Sequence, residues 1–166
     1  MLARFYPDDY VDSTYEIDFE ELYKEGYRGV LFDIDNTLVP HGKQADNRAK
    51  ELLLKLKKMG FSCCLISNNK LDRVKSFHED VKVPYIEDAH KPQRKNYLKA
   101  MEMMGTDTGN TVFVGDQLFT DVFGAKRTGI RSFLVKPIHP KEEIQIVLKR
   151  YLEKIVLFFY KRAKGR

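Results

Sequence analysis

Two acids stand one residue apart at the end of an apolar run, and they are the residues of this 166-residue chain best suited to chemistry. Asp33 and Asp35 follow the run 29–32, and Thr37 comes two residues later. Because side chains alternate along a strand, both carboxylates leave its end on the same side. Two such groups repel each other unless a cation or a proton lies with them. The pair suits Mg²⁺ beside a phosphate, and one acid can attack phosphorus; an acidic turn after a buried strand is the alternative.

Hydrogen-bond donors and positive charge follow in the next two segments. The apolar run 61–66 ends in Ser67 and Asn68, whose hydroxyl and amide groups can bind phosphate oxygens. An ordinary polar turn is the alternative. Lys91 would place positive charge against a phosphoryl group, and Pro92 after it restricts the backbone and would aim the lysine. A solvated lysine is the plainer interpretation when this residue is considered alone.

The fourth segment is the apolar run 111–114, which again has acids behind it. Asp116 can complete a Mg²⁺ shell that begins with Asp33. Asp121 can hold Lys91 or a metal-bound water, and it also suits the first turn of a helix, where the helix dipole favours an acid. The four segments together therefore predict one phosphate-handling site.

A parallel sheet would bring these segments together. Short apolar runs alternate with helical stretches, which predicts such a sheet with crossover helices. Each polar segment then lies at the carboxyl end of a strand, where open α/β sheets bind ligands. We expect strands near 29–32, 61–66, 84–86, 111–114 and 131–134, and helices near 46–59, 71–79, 93–104, 120–128 and 141–160.

In this order, the four segments resemble the four motifs of the haloacid dehalogenase (HAD) superfamily of phosphotransferases. The runs 5–10, 35–39, 90–92 and 115–122 resemble more closely the YqeG family, a group of small bacterial HAD phosphatases of subfamily IIIA. That family is similar to the mitochondrial phosphatase that acts on phosphatidylglycerophosphate. The resemblance implies an α/β, HAD-like Rossmannoid fold of three layers around a central parallel sheet.

The resemblance also implies roles for the residues of the site. It identifies Asp33 as the nucleophile, Asp35 as the general acid and base, and Asp116 as the residue that joins them as a ligand of Mg²⁺. By the same resemblance, Lys91 is expected to stabilise charge in catalysis, and Asp121 to support the site. The expected phosphate-binding residues are Thr37, Ser67, Asn68 and Lys91. The implied activity is a Mg²⁺-dependent phosphomonoester hydrolase that works through an aspartyl phosphate.

Residues 1–166 are expected to form one domain, with 1–28 as a segment that covers the core. The stretch 39–60 has room for a short loop and one helix, and the stretch 70–90 has room for one helix and one strand, so we expect no cap domain. An open site cannot exclude water around a small substrate by itself. It favours a bulky or lipid phosphate such as phosphatidylglycerophosphate, with a phosphoprotein, nucleotide or sugar phosphate as alternatives.

Composition excludes two classes of protein and suggests a compartment. An apolar content of 43% excludes a disordered chain, and no apolar stretch is long enough for a transmembrane segment. The two cysteines, Cys63 and Cys64, are adjacent in a predicted strand, so we interpret them as core thiols of a reducing cytoplasm. The expected location is cytoplasmic, with peripheral attachment to the inner face of the membrane as a possibility.

Basic charge is concentrated at the C-terminal end. Residues 146–166 contain seven Lys or Arg residues and one acid, a net charge of +6, so the rest of the +5 chain carries −1. We predict an amphipathic basic helix over 141–166 that packs on the sheet to about Ile155. Beyond that residue, an aromatic and basic helix suits an anionic lipid surface or a partner groove. A HAD-fold module that docks on RNA, a ribosome or a membrane is the rival hypothesis; nucleic acid is not favoured.

Overall fold

Strands and helices alternate along the chain, of which a computed structural model describes residues 1–139 and 144–165. The strands are β1 (Asp9–Val11), β2 (Gly29–Phe32), β3 (Ser62–Ile66), β4 (Tyr85–Ile86), β5 (Thr111–Gly115) and β6 (Arg131–Val135). The helices are α1 (Phe19–Lys24), α2 (Asn47–Met59), α3 (Leu71–Val81), α4 (Arg94–Met104), α5 (Phe123–Thr128) and α6 (Ile144–Ala163). The strands form one parallel sheet in the order β1-β6-β5-β2-β3-β4.

Three layers result from the alternation of side chains along these strands. Val30 and Phe32 of β2 pack in a core with residues of α1, α2 and α3. Leu31, between them, packs in a second core with residues of α4 and α5 on the other face. Strand β2 is buried at every position because both faces of the sheet are covered. The predicted α/β fold with a central parallel sheet is confirmed.

The predicted strands and helices between residues 29 and 135 are present, with ends that differ by a few residues. Helices α2, α4 and α5 end at glycines with positive φ, which only a residue without Cβ adopts at little cost. The predicted helix 120–128 begins instead as a wide turn of π-helix over Leu118–Val122, which leads into α5. Cys63 and Cys64 are buried free thiols, as the sequence indicates.

The N-terminal segment does more than cover the core, because β1 adds a sixth strand beside β6. The pairing is reinforced by side chains: Arg131 forms an ion pair with Asp9, and Asp8 accepts hydrogen bonds from the backbone and hydroxyl of Ser132. A strand of three partly buried residues at a sheet edge has no apolar run that would reveal it in the sequence.

Helix α6 packs on the same face of the sheet as the second core. Val156 and Tyr160 are buried, and the Tyr160 ring meets that of Tyr6 at a centroid distance of 5.4 Å. The expected limit of packing at Ile155 is therefore wrong: one face of α6 is buried beyond that residue, while Ile155 itself is 55% exposed. The expected residues 141–143 of this helix lie outside the described chain. Among the described helices, none is long and apolar enough to cross a membrane.

Candidate active site

The carboxyl ends of three neighbouring strands converge at one edge of the sheet. Strand β2 lies between β3 and β5, so Asp33, Ser67 and Asp116, which follow these strands, come side by side. With Lys91 they line an open cleft of about 190 Å³. Four segments that are far apart in the sequence thus meet at the place where open α/β sheets bind ligands.

Lys91 is the central cation of this cleft and is 7% exposed. Its Nζ donates to Asp33 Oδ1 at 2.9 Å and to Asp121 Oδ1 at 2.6 Å. Asn68 holds the backbone of the lysine from both sides, since its Oδ1 accepts from Lys91 N at 2.7 Å and its Nδ2 donates to Lys91 O at 3.2 Å. The lysine is therefore aimed into the cleft by an amide from the neighbouring strand end.

Three buried carboxylates form a group that could hold a metal ion: Asp33, Asp116 and Asp121 offer oxygens within 4.8 Å of one another. Thr37 joins two of them, with its Oγ1 3.3 Å from Asp33 Oδ2 and 3.2 Å from Asp116 Oδ1. All the offered atoms are oxygens, which are the ligands that Mg²⁺ prefers. The donor set therefore fits a small divalent cation.

Burial dominates the electrostatics of this group. It raises the pKa of Asp33 to about 7, although the charge of Lys91 acts in the opposite direction. Burial likewise raises the pKa values of Asp116 and Asp121, each to about 6. Burial lowers the pKa of Lys91, but Asp121 and Asp33 together raise it above the ordinary value. Additional positive charge would consequently stabilise the ionised carboxylates.

Asp35 lines the cleft but stands apart from the three carboxylates. Its Oδ2 accepts from Asn69 Nδ2 at 2.6 Å, and its Oδ1 accepts from Gly42 N at 2.7 Å and from Arg73 Nη2 at 3.0 Å. The sequence did not single out Asn69 or Arg73 for this purpose. The expected parts of Asp35 in metal binding and proton transfer remain predictions.

Asp121 braces the turn that carries Asp116. Its Oδ2 accepts hydrogen bonds from the backbone N–H groups of Asp116 and Gln117, both at 3.1 Å. This close approach needs a glycine at position 115, because a Cβ there would stand 2.6 Å from the Cβ and Cγ of Asp121. Of the two possibilities that the sequence left open for Asp121, the side chain makes the contact with Lys91.

Two residues of α6 complete the site, and sequence reasoning missed both. Arg150 donates to the backbone oxygen of Asp116 at 2.6 Å and forms an ion pair with the Asp116 carboxylate. Glu153 accepts from Leu118 N at 2.9 Å and from Arg150 Nη1 at 2.9 Å. Glu153 is the single acid of the basic segment 146–166 and lies three residues from Arg150. This spacing, which allows an ion pair on one helix face, was the feature of the sequence that could have indicated both residues.

Comparison with known proteins shows which sequences and folds this chain resembles. A family model described as HAD-hydrolase-like matches residues 89–143. The Bacillus subtilis protein named "Probable phosphatase YqeG" is 34% identical over 164 residues, which are 98% of this chain and 95% of that protein. A likeness of this extent and identity spans every element of the fold and all the site residues described above.

Two more distant likenesses accompany it. Phosphatidylglycerophosphate phosphatase 1 of Arabidopsis thaliana is 26% identical over 162 residues, covering 88% of this chain, and this chain spans only 44% of that protein. A Vibrio cholerae structure provisionally assigned as a 3-deoxy-D-manno-octulosonate 8-phosphate phosphatase superposes with a TM-score of 0.55 at 15% identity. The superposition covers 84% of this chain and 81% of the other, and it supports the fold.

Proposed function

We propose, from the premise that this chain belongs to the YqeG-type phosphatases of the HAD superfamily, that it is a Mg²⁺-dependent phosphomonoesterase with Asp33 as nucleophile. One observation carries the proposal: in the cleft, the Asp33 carboxylate is held between the Lys91 ammonium and the Thr37 hydroxyl. A buried carboxylate fixed in this way can attack phosphorus without first losing a full hydration shell.

The proposed reaction has two steps, formation of an aspartyl phosphate and its hydrolysis. In the first, an Asp33 oxygen bonds to phosphorus while the bond from phosphorus to the ester oxygen breaks, and Asp35 gives its proton to that leaving oxygen. In the second, Asp35 takes a proton from water, whose oxygen attacks the phosphorus of the aspartyl phosphate. Phosphate leaves and the Asp33 carboxylate is restored.

Lys91 and Ser67 are suited to bind the phosphoryl oxygens. Lys91 already contacts Asp33, so its charge lies beside the position where negative charge develops during transfer. Ser67 is buried at the end of β3 and lines the cleft. Asn68 lines the cleft too, but both ends of its amide hold the Lys91 backbone, so we assign it chiefly to aiming the lysine. Thr37 steadies Asp33 and Asp116.

Asp33 and Asp116 are the residues that would hold Mg²⁺, as their neighbouring buried carboxylates suggest. When bound, this ion offsets charge on the phosphoryl oxygens and on the carboxylates themselves. Asp121 belongs to the same group, but its two oxygens already accept from Lys91 and from two backbone N–H groups. We therefore place Asp121 in support of the lysine and of the turn.

Asp35 must change partners to act as acid and base. Its carboxylate accepts hydrogen bonds from Arg73, Asn69 and Gly42, so both of its oxygens are occupied. Asp35 lines the cleft, so a rotation of its side chain towards the ester oxygen would release these contacts. The proton transfer thus requires a substrate-bound arrangement in which Asp35 faces the ester oxygen.

The test is phosphate release from an aryl phosphate with Mg²⁺, together with acid-quench trapping of the phosphorylated enzyme. Asp33→Asn should lose about a thousandfold or more in turnover and form no phosphoenzyme, since its amide is not a nucleophile. Asp72→Asn, on the exposed first turn of α3, is the matched control and should keep both. Turnover by Asp33→Asn near that of the control would contradict the mechanism.

For the substrate, we propose a phosphomonoester carried by a lipid, such as phosphatidylglycerophosphate. Two observations support it: between residues 39 and 90 the elements on either side of β3 are one helix before it and one helix with a two-residue strand after it, which leaves no separate cap over the cleft in this part of the chain, and a relative over 88% of this chain is named for that lipid. Turnover should be compared on vesicles that contain the lipid and on phosphopeptide, nucleotide and sugar phosphate. Preferred turnover of a water-soluble substrate would contradict the lipid proposal and leave the phosphatase mechanism intact.

A further inference from the structure

Helix α6 exposes large apolar side chains from Leu148 to Phe159. Among the described residues, eleven large hydrophobic side chains are exposed, and six of them belong to this one helix. Their exposed fractions run from 45% to 62%. The six are Leu148, Tyr151, Leu152, Ile155, Phe158 and Phe159, which we call the apolar stripe. A concentration of this kind marks an interaction surface, whereas single exposed apolar residues are ordinary.

The stripe lies on one face of α6, and that face points away from the core. Its members follow one another at spacings of one or three residues, which keeps them within about 120° around the helix. The opposite face packs on the protein through Glu153, Val156 and Tyr160, each about 5% exposed. The stripe is therefore a second apolar face in addition to the one that the fold uses.

The charges beside the stripe indicate an anionic occupant. Lys154 and Lys161 are exposed along one border, Arg162 is exposed at the end, and Lys154 Nζ lies 5.0 Å from the centre of the Tyr151 ring. A second copy of this helix would bring a segment of net charge +6 against another of the same charge. A nucleic acid would satisfy the charges but leave the apolar side chains in water. An anionic bilayer satisfies both.

The stripe begins on the turn of α6 that also reaches the cleft. Ile146 and Lys149 line the cleft, and Leu148, the first member of the stripe, stands between them in the sequence on the outer face of the helix. Arg150 and Glu153 fasten the same turns of α6 to the backbone around Asp116. A surface that binds the outer face of α6 would consequently hold the mouth of the cleft within one or two helical turns of itself.

We propose that α6 is a membrane-docking helix: its apolar stripe enters the headgroup boundary of an anionic phospholipid bilayer, and Lys154, Lys161 and Arg162 contact the lipid phosphates. Docking presents the cleft to phosphomonoesters at the bilayer surface, and this last step rests on the proposed function. The docking itself is independent of catalysis, so the two can fail separately.

The first experiment measures binding of the full chain to sedimented vesicles of phosphatidylcholine, with or without an equal amount of phosphatidylglycerol. Wild type should bind the anionic vesicles, and added salt should weaken the binding. Leu152→Glu/Ile155→Glu should bind at least about tenfold more weakly, because two apolar anchors become anions. Leu54→Glu on α2 is the matched control, since Leu54 is 53% exposed and lies far from α6 in sequence. It should bind as wild type does.

A second pair of variants tests the basic border. Lys154→Gln/Lys161→Gln should weaken binding by roughly fivefold for each lysine removed. Lys95→Gln/Lys99→Gln removes two exposed lysines from α4 and should leave binding unchanged. Equal weakening by both pairs would mean that net charge alone attracts the protein, and it would overturn the assignment of α6 as the docking element.

Three outcomes would overturn the proposal directly. They are no binding to anionic vesicles, binding that Leu152→Glu/Ile155→Glu leaves intact, and a stable dimer in light scattering that this variant dissociates. Thermal unfolding shows that each variant is folded. Asp33→Asn should bind vesicles as wild type does: a phosphatase that ignores vesicles contradicts only the docking, and a bound protein without Asp33-dependent turnover contradicts only the catalysis.

Discussion

The carboxyl edge of the sheet and the outer face of α6 distribute polarity in opposite ways. At the sheet edge, the charged groups of Asp33, Lys91 and Asp121 are buried. On α6, Leu152 and Phe158 leave more than half of their surface in water. Both arrangements cost free energy in the isolated chain, the first through desolvated charge and the second through hydrated apolar surface.

The two regions differ in how far contacts within the chain offset these costs. Lys91 bridges two carboxylates, and Arg150 pairs with a third, so most of the buried charge is compensated from within. The apolar stripe stays open to solvent in the described structure. If the proposals are right, a cation and a phosphate would complete the sheet edge, whereas covering the apolar stripe would take an extended surface. A phospholipid phosphomonoester in a bilayer would supply the phosphate and the surface together.

The largest effect is expected from removing the buried cation. Lys91→Met leaves Asp33 and Asp121 buried without their partner, so the protein should lose about 3–5 kcal/mol of unfolding free energy and nearly all turnover. Denaturant titration and phosphate release measure the two. Adding Asp121→Asn should restore much of the stability but none of the turnover. Recovery of turnover in this double variant would show that Lys91 has only a structural part.

Metal and pH should act on the same carboxylates. The pKa values of Asp33, Asp116 and Asp121 are raised, to about 7, 6 and 6. The folded state then holds protons that the unfolded state has released between about pH 4 and 7, so the metal-free protein should lose stability as the pH rises through this window. Bound Mg²⁺ favours the ionised forms, so the increase in Tm that it causes should grow with pH.

Differential scanning fluorimetry with Mg²⁺ or a chelator measures this effect. Asp116→Asn removes one expected ligand and should reduce the increase in Tm at every pH. An increase that is the same at low and at neutral pH would place the ion away from these carboxylates.

A smaller effect is expected where α6 meets the sheet edge. Arg150→Met removes the ion pair with Asp116 and the donor to its backbone oxygen, so turnover at saturating Mg²⁺ should fall by roughly 10- to 100-fold, as for other residues that orient metal ligands. Arg127→Met, on the exposed end of α5, is the control. Unchanged turnover and unchanged Mg²⁺ dependence would mean that Arg150 only attaches α6 to the rest of the fold.

The smallest effect is expected from the stripe in solution. Leu152→Glu/Ile155→Glu should change the unfolding free energy by no more than about 0.5 kcal/mol, because both side chains are already exposed. Val156→Glu, one residue away on the buried face, should destabilise the protein severely. Denaturant titration of the two variants measures these changes in unfolding free energy. A large loss in the first variant would mean that the stripe packs against part of this chain or against a second copy.

The sheet edge was largely predictable from the sequence, since its signal is local. Polar residues that follow apolar runs must lie at the carboxyl ends of strands, and parallel strands bring those ends together. Asp33, Ser67, Lys91 and Asp116 meet there for that reason. The partners of Asp35 were not predictable, because Arg73 lies on a helix surface and many exposed basic residues of this chain would look the same.

The two surfaces of α6 were only partly predictable. Its apolar residues are too many for one face, and their periodicity does not say which face turns inward. The prediction that packing ends near Ile155 divides the helix into two successive segments. In the structure, one face of the helix is buried and the other is exposed on both sides of that residue. Strand β1 was missed because it pairs with residues more than a hundred positions away, which no local pattern contains. Arg150 contacts Asp116 34 positions away, and its spacing of three from Glu153 indicates a pair on the helix but does not reveal that contact.

The most direct test compares initial rates with Mg²⁺ on a phospholipid phosphomonoester in vesicles and on an aryl phosphate in solution, for wild type and Leu152→Glu/Ile155→Glu. If the sheet edge performs the chemistry and α6 brings it to the lipid, the variant should lose at least about tenfold more rate on vesicles than on the aryl phosphate. Asp33→Asn should lose both activities. Equal losses on the two substrates in the stripe variant would contradict the division of labour between these two regions.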